Sequence, residues 1–526
     1  MRTTGQLIGT WGPSRWVAAI VKCAISEPAI QRISFALGAL HQAQEVGLAC
    51  QQYSFVQYGK ALRMVNDDMS RLAESREILL LACILFCAFE CMNDHLDSAM
   101  SHLSSGLDLV MRHAYMAATS AAQHDSGLQS LWISVLTMLD NDRLCLGAMS
   151  SRKIDMPNFE MPDTFESVQE AHQVLTNALN LSHRQLAAVS EGKAPPDHDG
   201  ALRKVQQWKE TFERWLPWCI EERSDEDITS LLPLLSWHMV ISAIVNADYT
   251  QGEMAWDALL PQLQLIVDCV EHFLDLTAEL VPEHERWDHP LLHVKESSLE
   301  RAQQTLTVRQ GGRITEGLMA KLLSPRPPAR PPGPASERST LSKRPHENHE
   351  MAAAFNLLQK ARSIAERSGR AGQANRAMEG KVQIRAIFTV SHGIVYALFA
   401  VLCRCRDPPT RRRALRLLEV CNRHEGLWDS RLTAQVAKRR IMVEETSALN
   451  EIQEEMACEG APVDTGAMNI TNAMQIPNHC RVRATGKTFL PDGRVLERFW
   501  MGWKGTLQGA LTSREEERWI DLSVVS

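Results

Sequence analysis

Cys83, Cys87 and Cys91 recur every four residues, which sets three thiols on one side of a helix, and such a face is the beginning of a metal site. The run that carries them argues against an ion. From Ile78 to Phe89 the residues are apolar nearly all round. Thiolates, the form that binds metal, would be costly to bury there, whereas free cysteine is among the most buried residue types. Neutral core thiols are therefore expected. Cys403 and Cys405 add no pair at zinc-finger spacing.

Ala484-Thr485-Gly486-Lys487-Thr488 imitates the end of a phosphate-binding loop, but Arg481 stands where the first glycine belongs and no helix clearly follows. A strand-connecting turn is the expectation. His41, His95 and His102 are isolated and suit capping or core positions. No serine-nucleophile elbow, paired-histidine zinc helix or dinucleotide glycine fingerprint occurs. The sequence thus assigns no catalytic, cofactor-binding, metal or DNA-binding residue.

The elements that would position such residues are helices. Glu77 to Glu90 requires cover on every face and is a central core helix. After a polar break at Asn93-Asp94-His95, Leu96, Ala99, Leu103, Gly106, Leu107 and Val110 recur at three- and four-residue steps, completing an αα-hairpin. Ala99 and Gly106 allow a close helix neighbour. Helices are likewise expected over Glu27–Cys50, around Tyr58–Met69 and Leu131–Leu146, and over Ser167–Val189. Leu202, Val205, Trp208, Phe212, Trp215 and Cys219 form an aromatic stripe of core type. Ser224-Asp225-Glu226-Asp227 supplies a cap and first-turn acids for an apolar helix through Val245. Two more helices are expected near Trp256–Leu274 and Leu291–Leu306.

The chain divides by composition into a helical part (1–322), a proline- and arginine-rich linker or insert (323–350), a second helical part of the same domain (351–458) and a loop with a short β tail (459–526). Ala386 to Cys403 is uncharged and just reaches membrane-spanning length, yet it reads better as a buried core helix. Asp407 with Pro408 suits a helix start, ahead of Arg411, Arg412, Arg413 and Arg416. A long helix spans Ser430–Cys458. Beyond it, Cys480–Arg483, Thr488–Leu490 and Val495–Trp500 around Pro491-Asp492-Gly493 indicate a terminal β-hairpin.

Over 526 residues, 44% hydrophobic and 23% charged, composition is ordinary for a globular protein and mainly α in type. A net charge of -7 argues against a coat for nucleic acid. The 13 cysteines lack a regular framework and no secretory start precedes them, so reduced thiols in an intracellular compartment are expected.

Several stretches, in order, resemble the C-terminal regulatory region of fungal binuclear-zinc-cluster (Zn2Cys6) transcription factors. They are Ser26-Glu27-Pro28-Ala29, Leu37 to His41, Tyr58 to Leu62, Leu80 to Glu90, His102-Leu103 with Gly106-Leu107, Leu139-Asp140 and Pro162 to Phe165. Later come Cys405 to Pro408, Arg412-Arg413-Ala414 and His424 to Asp429. The resemblance covers most of the chain outside the linker. It implies an all-helical regulatory domain in the nucleus, often governing secondary-metabolite genes. The chain is expected to act through a protein partner or as part of a longer regulator, with a homodimer and a cytoplasmic location left open. The family's six-cysteine cluster, beginning with two cysteines three positions apart, has no counterpart among these residues. No cofactor is expected in this chain, zinc belonging to that cluster alone, and no membrane or sequence-specific DNA contact is expected. A biosynthetic enzyme or small-molecule-binding helical protein is the alternative. A helical-repeat scaffold would need a fixed period that is not seen.

Overall fold

The computed structural model describes residues 7, 9, 13–46, 49–72, 75–119, 127–145, 159–190, 198–247, 249–281, 345–458, 470–489, 495–507 and 510–521. The chain is mainly α. The first helices are α1 (Pro13–Ser26), α2 (Pro28–Val46), α3 (Ala49–Asp67), α4 (Arg76–Met92), α5 (Leu96–Thr119) and α6 (Gly127–Cys145). In α4 every residue from Ile78 to Met92 except Cys83 is buried. Its hairpin with α5 closes through Asp94, whose φ of 59° is a left-handed value that aspartate tolerates. Gly106 sits where a Cβ would come 2.9 Å from Leu136 of α6 and 3.1 Å from Cys83. Close helix approach there depends on glycine.

The middle comprises α7 (Val168–Ser190), α8 (His198–Glu222), α9 (Asp225–Asn246), a 3-10 stretch (Tyr249–Leu259) and α10 (Leu260–Thr277). Ser224 caps α9 by accepting a hydrogen bond from the Asp227 amide. This helix is long and apolar enough to cross a bilayer, but 83% of its apolar window is buried in the fold. The aromatic stripe of α8 is core from Val205 onward, with Trp208 stacked on Phe212 at 5.0 Å. Leu202 departs from it, 40% exposed near the helix start.

The later part runs α11 (Pro345–Arg367), α12 (Gln373–Met378), β1 (Ile387–Thr389), α13 (Val395–Arg404), α14 (Pro408–Val420), β2 (Arg423–Glu425), β3 (Trp428–Asp429) and α15 (Ser430–Cys458). The start of α11 lies inside the stretch assigned to the linker. Most of that linker, the helix expected at Leu291–Leu306 and the turn at Pro491-Asp492-Gly493 lie outside the described residues. The apolar 386–403 segment is not one helix. It is a strand, a turn at His392-Gly393 and a helix, because β1 pairs in parallel with β2 (Phe388 opposite His424) and β2 with β3 in antiparallel. An apolar run of this kind does not by itself distinguish buried strand from buried helix.

The C-terminal sheet is an antiparallel meander of β4 (Val482–Phe489), β5 (Val495–Leu507) and β6 (Ala510–Asp521). It has one strand more than the expected hairpin. The phosphate-loop imitation lies within β4, not in a turn, with Gly486 opposite Arg498 and Lys487 opposite Glu497. One apolar cluster extends from Leu7 to Ile441 and joins residues from both sides of the proline-rich stretch.

Candidate functional site

At the end of α6 four consecutive polar residues, Asp140, Asn141, Asp142 and Arg143, are buried. Burial without partners would cost several kcal/mol per charge, so each must be engaged. Asp140 accepts from Arg143 Nε at 2.9 Å and Asn180 Nδ2 at 2.9 Å, and pairs with Arg184. Burial pushes its carboxyl upward, but Arg184, Arg143 and Asn180 outweigh that and hold it below the usual range. Asn141 donates to the Thr176 carbonyl at 3.0 Å.

Asp142 binds the small β-hairpin. The Leu427 amide donates to Oδ2 at 3.2 Å, and Trp428 Nε1 donates to Oδ1 at 3.1 Å. Between β2 and β3 Gly426 has φ 59°, and a Cβ there would collide with Asp142 Oδ2. The Gly426 amide donates to the Thr389 carbonyl of β1 at 2.7 Å. Glu425 accepts from the Val395 amide at 2.8 Å and from Arg423 Nε at 2.7 Å, while the Arg423 guanidinium lies 5.2 Å over the Phe273 ring. Gly393 packs against the Glu425 carboxylate too closely for a Cβ.

His392 completes the centre. Its Nε2 lies 2.9 Å from Asp142 Oδ1 and 3.1 Å from the Met138 carbonyl, both acceptors, so this nitrogen carries the proton. Burial disfavours its charge, but Asp142, the Met138 carbonyl and Glu425 together raise its pKa. The ring stacks on Trp237, which stacks on Tyr396 at 4.4 Å, and Trp237 Nε1 donates to the Gly393 carbonyl at 3.0 Å. Nearby His172 and His183 are driven the other way by burial and by the charge of His392, His183 to about 4. The side chains of His392 and Asp142 are 5% and 3% exposed, so the pair is shut off from any substrate in solvent. Its chemistry is to join α6, the β1–α13 turn and the hairpin.

Glu444 of α15 makes a second buried junction. It pairs with Arg411 at 2.5 Å and Arg481 at 2.8 Å, lies 3.6 Å from Arg440 Nε, and accepts from the Val482 amide at 3.0 Å. Desolvation opposes its charge, but Arg411, Arg481 and Arg440 bring its pKa to about 2. Arg411 also donates to the Leu402 carbonyl, and Arg481 to those of Cys403 and Arg404. Arg412 pairs with Glu445, and Arg413 with Asp268 and Glu271. Of the arginines available in sequence for phosphate contact, Arg411 is buried, and Arg412 and Arg413 are paired with acids at the surface.

Burial raises the Cys83 thiol to about 12, and a hydrogen bond with Cys87 together with burial raises Cys91 well above its ordinary value. His41 is buried. His95 lies beside Glu90 at 2.9 Å in the α4–α5 turn, and His102 meets the Tyr58 hydroxyl, which donates to Glu90. Glu90 is given no role by the sequence alone, although an acid closing an apolar helix signals a required partner. Asp142, His392, Glu425 and Glu444 are given none either, because their convergence has no local spacing. The described surface includes a groove of about 240 Å³ lined by Asp163, Thr164, Thr211, Arg214, Trp215 and Trp218. It is smaller than typical ligand pockets of about 300 to 1,000 Å³.

Over 92% of its length the chain is 21% identical to the aspercryptin biosynthesis cluster-specific transcription regulator atnN of Emericella nidulans, covering 76% of that protein. The similarity is to a regulator of transcription. No family model and no solved structure matches the chain. Leu139-Asp140, His424–Asp429 and Cys405–Pro408, stretches quoted above for the family resemblance, fall at or beside the buried junctions: Asp142 holds the 424–429 hairpin, and Arg406 is fastened to Asp257.

Proposed function

We propose that this chain regulates transcription of a gene set, of the kind that encodes a biosynthetic pathway, acting in the nucleus through a protein partner. The observation that carries this reading is the similarity, over 92% of this chain and 76% of the relative, to a cluster-specific regulator. The buried junctions support it, because polar residues that an enzyme would present to a substrate are here used to fasten helices, as a scaffold that displays surfaces requires. Divided as 1–322 and 351–458 around a proline-rich insert, with a β tail over 459–526, the chain would act as one regulatory unit.

The test tethers the full chain to an unrelated DNA-binding domain upstream of a reporter and, in parallel, deletes the gene and measures transcripts genome-wide. Reporter output that changes on tethering, with a confined set of transcripts altered on deletion, is the expected result. An inert tether together with an unaltered transcript profile would overturn the proposal and favour the biosynthetic reading.

A further inference from the structure

We propose that Glu451, His479 and Cys480 form a binding site for a zinc-type divalent metal ion that clamps the start of the C-terminal sheet to helix α15. Their ligand atoms, one carboxylate oxygen, one imidazole nitrogen and one sulfur, all lie within 4.8 Å of one another. His479 Nε2 is 2.5 Å from Glu451 Oε1. In a tetrahedral site with bonds of about 2.0 to 2.3 Å, ligand atoms sit roughly 3.3 to 3.6 Å apart. Coordinating geometry is reached when the 2.5 Å His479–Glu451 contact opens by about 1 Å and the widest separation, up to 4.8 Å, closes by about as much.

The donor set fits that class of ion. Imidazole and thiolate select zinc-like metals over magnesium or calcium, and three protein ligands leave a fourth position for water. The side chains of His479 and Glu451 are 18% and 33% exposed, which gives an entry path, while Cys480 is buried against Ala448, Ile470 and Ile476. On binding, the neutral His479 imidazole carries its proton on Nδ1 so that Nε2 ligates, Glu451 ligates as carboxylate, and the Cys480 thiol proton leaves to solvent. Affinity therefore falls as pH is lowered.

The position explains what the ion would do. Glu451 lies seven residues, two helical turns, beyond Glu444 on α15 and so on nearly the same face. Glu444 grips Arg481 and Val482, where β4 begins, and the metal would grip His479 and Cys480 just before it. Two fastenings in place of one would fix how the sheet leaves the helical body.

The full chain, stripped with a chelator, is titrated with Co²⁺ and then Zn²⁺ under reducing conditions, with bound metal counted by mass spectrometry. About one ion per chain, tetrahedral cobalt absorption and a thiolate charge-transfer band are expected. Cys480→Ser removes the band. His479→Gln and Glu451→Gln each weaken Zn²⁺ by at least about tenfold, since even outer-sphere partners are worth that much. These two positions are partly exposed, so their variants decide the matter if Cys480→Ser fails to fold. Hydrogen exchange over 478–489 slows when metal binds the parent chain. Binding below one equivalent, or a band and affinity unchanged in the variants and lost instead on Cys87→Ser, overturns the site.

Discussion

Glu444 and Arg481 lie 2.8 Å apart with both side chains wholly shielded from solvent, joining α15 to the first residue before β4. Three guanidinium groups surround this one carboxylate, and backbone carbonyls of residues 402–404 take up part of the excess charge. Removing the acid strands the arginines. Glu444→Gln is expected to destabilise the protein by about 3 to 5 kcal/mol, the usual cost of breaking a buried pair from one side. Denaturant unfolding measures it, and a loss under about 1 kcal/mol would show that the junction is not closed.

The same residue gives the fold an acid limit. Glu444 has a folded pKa of about 2 against an ordinary 4.5, so its contribution is complete above pH 4.5 and is lost as pH falls toward 2. The shift corresponds to about 3 kcal/mol. His183, held down to about 4 by burial, contributes stability that is complete above pH 6.5 and is lost between 6.5 and 4. His392 is raised and acts in the opposite sense, its contribution being lost as pH rises through its folded pKa. Unfolding free energies at a series of pH values from 7 to 3 should fall less steeply below 4.5 for Glu444→Gln than for the parent. Parallel curves would refute the assignment.

Gly106 offers a packing test in the central hairpin. A side chain there meets Leu136 and Cys83 within 3.1 Å, so Gly106→Leu must push α5 off α6 and α4. Overpacking of this kind costs about 1 to 3 kcal/mol. A melting temperature equal to the parent's would place the residue at a looser contact than the structure has.

How much of this was legible follows from the range of each interaction. The α4–α5 hairpin, the Ser224 and Asp407 caps and the span of α15 rest on neighbours within a few turns, and the pattern of apolar and capping residues identified them. Strand β1 was missed because its pairing partner lies some 36 residues on, at Arg423–Glu425, and an apolar run carries no mark of that. The Asp142–His392 contact spans 250 positions, and Glu444–Arg481 spans 37. Only one local signal pointed to the first: the polar turn Asp140–Arg143 follows Leu136 and Leu139 without leaving the core, so partners had to come from elsewhere.

Gly426 and Gly369 separate strain from contact. Both have positive φ, 59° and 67°, but a Cβ at Gly369 meets nothing within 4 Å whereas at Gly426 it strikes Asp142. Gly369→Ala should cost only the left-handed strain of about 1 to 2 kcal/mol. Gly426→Ala should cost clearly more, because displacing Asp142 also disturbs its bonds to Leu427, Trp428 and His392. Equal losses in thermal unfolding would mean that Asp142 yields without consequence.

The last prediction concerns DNA. The purified chain should not select a sequence, because in the family it resembles the bases are read by a zinc-folded cysteine module that begins with two cysteines three positions apart, and no two of the 13 cysteines here have that spacing. The arginines of α14 do not replace it. Arg411 is buried against Glu444, while Arg412 and Arg413, about 40% exposed, are paired with Glu445, Asp268 and Glu271. Only Arg416 among them is exposed without a pairing role in this cluster, and phosphate contacts in any case position a protein without reading bases. Residual binding should be weak, indifferent to sequence and abolished by moderate salt. Fluorescence anisotropy with promoter-derived and random duplexes, at several salt concentrations and with zinc present or chelated, measures this. A promoter preference above about a hundredfold would approach the ratios of true site-specific binders and defeat the expectation. If that preference vanished on chelation and in His479→Gln, the metal site at the start of the C-terminal sheet would have to belong to the DNA-reading surface.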